Sequence, residues 1–149
     1  MFCRSLLFKG NILDKTLTSL NLNEMANFKL TFFSLNEFDS PDILGSGAKM
    51  NKEFLLKLDK ARADAGIPFK INSGYRSQEH NLKVGGVFTS AHKKGLAVDI
   101  SAKTSGERST ILKSLMKQGF NRFGIGHTFI HVDQDPEKDP NVIWTYKHK

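Results

Sequence analysis

The sequence predicts an α+β fold in which helices flank a mostly antiparallel central sheet. Two segments, residues 50–65 and 105–118, carry apolar side chains at helical spacing. Short segments that alternate between apolar and polar residues lie before, between and after these two helices, as strands do. The chain has 149 residues, of which 39% are hydrophobic, and this is enough for one domain with a buried core. We therefore expect a single folded domain.

The segment 50–65 is the clearest helix in the sequence. Its apolar positions recur every three or four residues, at Phe54, Leu55, Leu58, Ala61 and Ala65. Asn51 is the candidate N-cap, because its side-chain oxygen can accept a hydrogen bond from a free N–H group of the first turn. Gly66, followed by Pro68, predicts the end of the helix.

The remaining elements are shorter and are marked by alternation and by glycine. Residues 25–34 predict a strand or an extended arm, and residues 78–84 a short helix. Gly119 ends the second long helix. The predicted strands cover residues 69–73, 97–100, 122–125 and 129–133. We expect the last two of these to be the final strands of the fold, joined by a turn through Gly126.

Residues 1–24 differ from the rest of the chain because their apolar residues follow no clear period. We expect a poorly ordered N-terminal extension there and the folded domain over residues 25–149, so Met25 is a second candidate for the start of translation. The first ten residues have a short apolar stretch interrupted by charge and no small-residue cleavage site, so we predict no signal peptide. We also expect no insertion into a membrane, because no apolar run approaches about 18 residues.

The chain is basic, with a formal net charge of +7. Its lysines are spread along the sequence instead of forming one stripe, which predicts general attraction to a polyanion without reading of nucleic-acid bases. Cys3 is the single cysteine, so a disulfide within the chain is excluded. We expect a monomer.

Two histidines and one aspartate form a set of side chains that is common among the ligands of catalytic zinc sites. They are His92, Asp99 and His131, a ligand set that leaves a fourth position open for water. In their strands, Asp99 and His131 each alternate with apolar neighbours, which face the other side of the sheet. If the apolar sides form one core, Asp99 and His131 share the opposite face.

These residues and their surroundings resemble a known family. The matching motifs are Ser73-Gly-Tyr-Arg-Ser77, Asn81, Val84-Gly-Gly86, His92-x6-Asp99 and Phe123-Gly-Ile-Gly126 before His131. The chain is similar to the zinc D-Ala-D-Ala carboxypeptidases, the D,D-dipeptidases and the cell-wall endopeptidases of the hedgehog-like metallopeptidase group, over roughly residues 34–146. The resemblance implies a zinc peptidase acting on peptides of bacterial peptidoglycan, either as a D,D-carboxypeptidase or as an L-Ala-D-Glu endopeptidase.

The resemblance also implies which residues meet the substrate. In the family, an arginine at the place of Arg76 contacts the peptide, and a guanidinium can bind a carboxylate through two parallel hydrogen bonds. Ser90, Tyr75 and Asn81 are further candidates for substrate binding. Ser90 can donate to substrate or to Asp99, and Asn81 can hold the loop before the two glycines.

The general base is where the sequence departs from the family. Many relatives carry Glu or Asp three residues before the last histidine ligand, or a second histidine two residues before it, but here these places hold Thr128 and Phe129. Asp133 is the first candidate, because residues two apart on a strand share a face, and His127 is the second. The alternative for Asp133 is that it orients a ligand histidine.

Several functions remain open at this point. The peptidase is expected to be made in the cytoplasm and to act on the cell wall after release, as a lysis enzyme of a phage or prophage does. A dipeptidase for soluble dipeptides is the alternative enzyme. A hedgehog-like binding module would keep the zinc and lack turnover, and a basic nucleic-acid binder would bind DNA even after chelation.

Deletion of residues 1–24 tests the predicted domain boundary. We expect the truncated protein to fold and to keep its activity, because this stretch offers no periodic apolar face to bury. Thermal unfolding of the full and truncated chains measures the effect. A large drop in melting temperature would mean that the extension belongs to the folded domain.

Overall fold

The structure is a computed structural model that describes residues 28–147. Its fold is α+β, as the sequence predicts, with a five-stranded sheet and three α-helices within the described residues. The strands are β1 (Ile71–Ser73), β2 (Ala97–Ser101), β3 (Arg122–Ile125), β4 (Phe129–Asp133) and β5 (Val142–Thr145). The helices are α1 (Lys52–Ala65), α2 (Gln78–Lys83) and α3 (Ser105–Lys117). Three short 3₁₀ helices cover Leu35–Phe38, Ser46–Lys49 and Ala91–Lys94.

The sheet has the strand order β1-β2-β4-β3-β5. The first three pairs are antiparallel, whereas β5 runs parallel to β3, so the sheet is mixed. The expectation that β3 and β4 are the final strands is therefore wrong, because β5 adds to the edge of β3 after the chain has crossed the end of the sheet.

The N-terminal segment also differs from the prediction. Within the described part of the chain, residues 28–34 form no strand. The backbone N–H groups of Thr31 and Phe32 instead donate to the buried carboxylate of Asp59 on α1, at 3.0 and 2.9 Å. The predicted extension 1–24 and Cys3 lie outside the described residues.

Helix α1 begins and ends where the sequence predicts. The side-chain oxygen of Asn51 accepts a hydrogen bond of 2.9 Å from the N–H of Phe54, which caps the first turn. Gly66 ends the helix with φ of 64°, a left-handed conformation that glycine adopts without strain. Helix α1 packs beside α3 over one face of the sheet, and both contribute to the same core.

The opposite sides of β2 and β4 are chemically distinct. Val98, Ile100, Ile130 and Val132 are fully buried in the core. Asp99 and His131 alternate with them and are paired directly across the two strands. The sheet register therefore places the carboxylate beside the imidazole on the face away from α1 and α3. In residues 28–147, no helix is both long and apolar enough to cross a membrane.

Candidate metal centre

Three hydrogen-bond acceptors converge on the sheet face. Asp99 Oδ1 lies 2.9 Å from His131 Nδ1 and 3.3 Å from His92 Nε2, and the two ring nitrogens are 3.3 Å apart. Ligands at 2.0–2.1 Å from a tetrahedral zinc ion would lie about 3.3 Å from one another. The spacing of these three atoms therefore fits an ion of that size, and the two imidazoles with one carboxylate are a donor set that zinc accepts.

The outer nitrogen of each imidazole is held by a separate partner. His92 Nδ1 donates to the carbonyl oxygen of Gly74 at 2.7 Å, and His131 Nε2 donates to Asp133 Oδ2 at 3.0 Å. These partners assign the tautomers, because each ring then presents the lone pair of its other nitrogen to the centre. Histidine ligands of metal ions are commonly oriented in this way by a carbonyl or a carboxylate.

Arg76 binds the oxygen of Asp99 that points away from the two imidazoles. Its Nη2 donates to Asp99 Oδ2 at 2.6 Å, and its Nε donates to Ser73 Oγ at 2.8 Å. The backbone N–H of Arg76 also donates to the carbonyl of His92 at 3.2 Å. Because Oδ2 of Asp99 is engaged, Oδ1 is the oxygen that faces the two imidazoles. Arg76, which the sequence analysis assigns to substrate binding, thus also holds two candidate ligands in place, Asp99 and His92.

A second arginine supports the other side of the centre. Arg122, on β3, donates from Nε to Asp133 Oδ1 at 2.7 Å, while the other oxygen of Asp133 accepts from His131. Nη1 of Arg122 donates to the carbonyl oxygen of Asp139. Both arginine–aspartate pairs are largely buried, so each arginine balances the charge of one aspartate beside the ligands.

The electrostatics of the cluster favour a positive charge at its centre. Burial raises the pKa of Asp99, but its close contacts with the imidazoles of His131 and His92 outweigh burial and hold that pKa well below the ordinary 3.8. Burial lowers the pKa of His131, yet its bonds to Asp133 and Asp99 outweigh burial and raise it above 6.5. The pKa of His92 is lowered by burial. The three acceptors thus hold a cation, either the proton of His131 or a metal ion.

Asp133 is ionised throughout the physiological range. Burial raises its pKa, but hydrogen bonds from His131 and Arg122 lower it overall to about 2. Because both of its oxygens already accept hydrogen bonds, its contacts are those of a residue that orients His131. The alternative assignment, orientation of a ligand, therefore has the stronger structural support, and the role as general base stays a prediction.

A cavity of about 410 Å³ opens beside the candidate ligands. Its lining also includes the charged side chains Arg76, Arg122, Asp133 and Lys138, the aromatic side chains Phe129, Trp144 and Tyr146, and Ser90. A neighbouring hollow of about 270 Å³ shares Arg76 and Asp99 with it. The cavity beside the candidate ligands and the neighbouring hollow therefore meet at Arg76 and Asp99.

Two aromatic residues of this lining were missed by the sequence analysis. Trp144 and Tyr146 belong to β5 and the residue after it, and Trp144 packs 5.6 Å from the ring of His131, centroid to centroid. Gly124 makes room for them, since a Cβ there would lie 2.6 Å from the Tyr146 ring. The alternation of the two aromatics in residues 144–146 is the one signal that could have indicated a strand facing the site.

The three other residues predicted to bind substrate lie in different surroundings. Ser90 is buried and lines the cavity, which agrees with a place near substrate. Asn81 is fully buried and donates from Nδ2 to the carbonyl of Val87 at 3.0 Å, so it holds the loop and cannot touch a substrate in this conformation. Tyr75 packs against the core, with Lys49 Nζ 5.2 Å from its ring centre.

His127 has little support as the general base. It is exposed on the turn between β3 and β4, and its carbonyl oxygen accepts from Arg108 at 2.8 Å. The residues that line the cavity include Asp99 and Asp133 but not His127 or Tyr75. For Asn81, Tyr75 and His127 the structure thus gives supporting or peripheral positions, because tertiary packing turns their side chains to other partners.

The sequence profile of the Peptidase M15 family matches residues 24–133, which contain all three candidate ligands. The family match places a chain with this fold and cluster among the hydrolases of the metallopeptidase type. The chain belongs to the Peptidase M15 family, whose members are zinc peptidases, and the resemblance to the zinc D-Ala-D-Ala carboxypeptidases is confirmed at that level. A search of curated protein sequences gave no match.

Replacement of Asp133 by asparagine separates its two possible roles. We expect Asp133→Asn to bind zinc about 10- to 100-fold more weakly, because the amide no longer accepts the charge-assisted bond from His131, with turnover near the parent value at saturating zinc. Competition with a chelating dye measures the affinity. Asp64→Asn, the same change on α1 where Asp64 pairs with Lys117, is the control. Unchanged affinity with turnover about 10²-fold lower would instead identify a general base.

Metal binding should depend on pH through His131. Since the pKa of His131 is raised above 6.5 and that of His92 is lowered, a metal ion competes with a proton on His131 alone. We expect the apparent zinc affinity to fall about tenfold per pH unit below the pKa of His131, with one proton released on binding. Calorimetry in buffers of different ionisation enthalpy counts that proton. An affinity that is flat between pH 8 and pH 6 would contradict this assignment.

Proposed function

We propose that this protein is a zinc-dependent peptidase that hydrolyses peptide bonds of bacterial peptidoglycan. The observation that carries the proposal is the convergence of His92, Asp99 and His131 at the spacing of zinc ligands, in a chain of the Peptidase M15 family. When bound there, zinc would lower the pKa of a water molecule and polarise a substrate carbonyl group. The residues of the chain hold that centre and shape the groove beside it.

The main cavity and the neighbouring hollow share Arg76 and Asp99. The proposed peptidase acts on one of two peptide classes, as a D,D-carboxypeptidase or as an L-Ala-D-Glu endopeptidase.

Arg76 keeps N–H donors for substrate. Of its five N–H groups, one on Nη2 donates to Asp99 and the one on Nε donates to Ser73, and the guanidinium lines both the cavity and the hollow beside it. In the proposed reaction the remaining N–H groups therefore place a substrate oxygen while Arg76 keeps Asp99 oriented.

The proposed biological setting is lysis of a bacterial cell by a phage or prophage, with the protein made in the cytoplasm and released to the wall. The net charge of +7 supports this setting, because cell-wall polymers are polyanions that attract a basic protein. The charge alone does not distinguish a lysis enzyme from other wall-binding proteins.

A zinc-containing binding module is the second candidate, and one observation favours it. Among the described residues that line the cavity, the carboxylates are Asp99 and Asp133, and both already accept hydrogen bonds from arginine and histidine side chains. A hydrolase normally has a base that takes the proton of the attacking water. A binding module has no such need.

Digestion of purified peptidoglycan distinguishes the two. We expect the zinc-loaded protein to release muropeptides that mass spectrometry identifies, a chelator to abolish release, and added zinc to restore it. His92→Ala and His131→Ala should lose both zinc and release, because each removes one of the three donors. Stoichiometric zinc and wall binding without any release would favour the binding module, and stoichiometric zinc in both alanine variants would rule out the assigned site.

A further inference from the structure

The charged side chains that line the main cavity pair with one another, with one exception. Arg76 donates to Asp99, and Arg122 donates to Asp133, so each arginine balances one aspartate. Lys138 is the remaining charged residue of the described lining apart from the two histidines. Within this lining, Lys138 is therefore the cation that pairs with neither lining aspartate.

Lys138 forms a long ion pair with Asp135, a carboxylate that already accepts hydrogen bonds from Lys94. Lys94 also pairs with Glu137, at 2.5 Å. Asp135, which is buried, accepts from Lys94 Nζ at 3.0 Å through each of its two oxygens. Lys138 Nζ lies 4.0 Å from Asp135 Oδ2, beyond hydrogen-bond distance. The ammonium group of Lys138 thus retains donors that can face a ligand in the cavity.

The loop that carries Lys138 is fixed at both ends to the supports of the metal centre. Asp135 accepts the backbone N–H of Glu137 at 3.1 Å, and its own N–H donates to Asp133 Oδ1 at 3.2 Å. At the other end, the carbonyl of Asp139 accepts from Arg122, which also holds Asp133. The position of Lys138 relative to the ligands is therefore set by the same network that orients His131.

We propose that Lys138 binds the free α-carboxylate of the substrate residue that follows the scissile bond. In both peptide classes considered above, that residue carries an α-carboxylate next to the scissile nitrogen: a terminal D-alanine, or a γ-linked D-glutamate. A substrate carboxylate beside Lys138 gains a charge-assisted hydrogen bond that the 4.0 Å contact with Asp135 does not use, and an amide at the same place does not. Lys138 is then a specificity-determining residue, and this inference rests on the proposed peptidase function.

Matched peptides test this role directly. Each pair has the same sequence and differs only in an α-carboxylate or an α-carboxamide on the residue after the scissile bond. We expect the zinc-loaded parent protein to prefer the carboxylate peptide by about 10- to 100-fold in kcat/KM, the range for a hydrogen bond to a charged group. Lys138→Gln should lower this preference to about one, with most of the change in kcat/KM for the carboxylate peptide.

Two variants control for charge and for folding. Lys113→Gln removes the same charge from an exposed position on α3 and should keep the full preference. Lys138→Arg retains a cation and should restore part of the preference. If Lys138→Gln keeps the preference of the parent, the carboxylate is bound elsewhere, by zinc or by Arg76, and the proposal is wrong.

Binding measurements separate this proposal from the proposed function. If the zinc-loaded parent cleaves neither peptide, the peptidase assignment fails, and the same peptide pairs are then compared by calorimetric binding. Tighter binding of the carboxylate peptide that Lys138→Gln abolishes would still support the subsite. Equal binding of the two peptides to the parent would overturn it.

Discussion

The pairing of Asp99 with His131 across β2 and β4 is the contact on which the rest of the site depends. The two residues are direct cross-strand partners, so their side chains stand next to each other on the face away from the core. A shift of the register by one residue would bury both of them and expose the apolar side chains of the strands. The hydrophobic core therefore fixes the face of the metal centre, because a sheet that buries Val98 and Ile130 places Asp99 and His131 together on the opposite face, and the observed register makes them neighbours.

The third candidate ligand depends on a close approach of two backbone segments. His92 lies in a 3₁₀ helix that ends at Gly95, where φ is 68° and a Cβ would lie 2.4 Å from the carbonyl oxygen of Lys49. The N–H of Asn51 donates to the carbonyl of Gly95 at 2.9 Å, which joins this turn to the start of α1. Since removal of one partner from a buried ion pair costs about 3–5 kcal/mol, the arginines that support Asp99 and Asp133 are needed for the fold as well as for orientation.

Sequence analysis predicted correctly those features that depend on a local pattern of residues. Alternation in β2 and β4 was enough to place Asp99 and His131 on one face, and Asn51 and Gly66 were enough to bound α1. Strand β5 was missed because it has four residues and pairs in parallel with a strand that is distant in the chain, so no turn signals it. The hydrogen-bond partners of Arg76 and Asp133 could not be predicted from the sequence either, because they depend on tertiary contacts between separate elements.

Positive charge acts on two length scales in the proposed function. In the proposed function, the net charge of +7 attracts the protein to a polyanionic wall, but this attraction extends over about one Debye length, roughly 8 Å at physiological salt, and treats all anionic groups alike. Selection among wall peptides then needs a cation at a fixed place beside the scissile bond. The proposed role of Lys138 fits that requirement, because its loop is bound to Arg122 and Asp133, which belong to the network that orients His131. Attraction to the wall and selection of the peptide can then be separated by experiment. Added salt weakens the general attraction. Peptide selection depends on the residue at position 138, which is partly shielded from solvent.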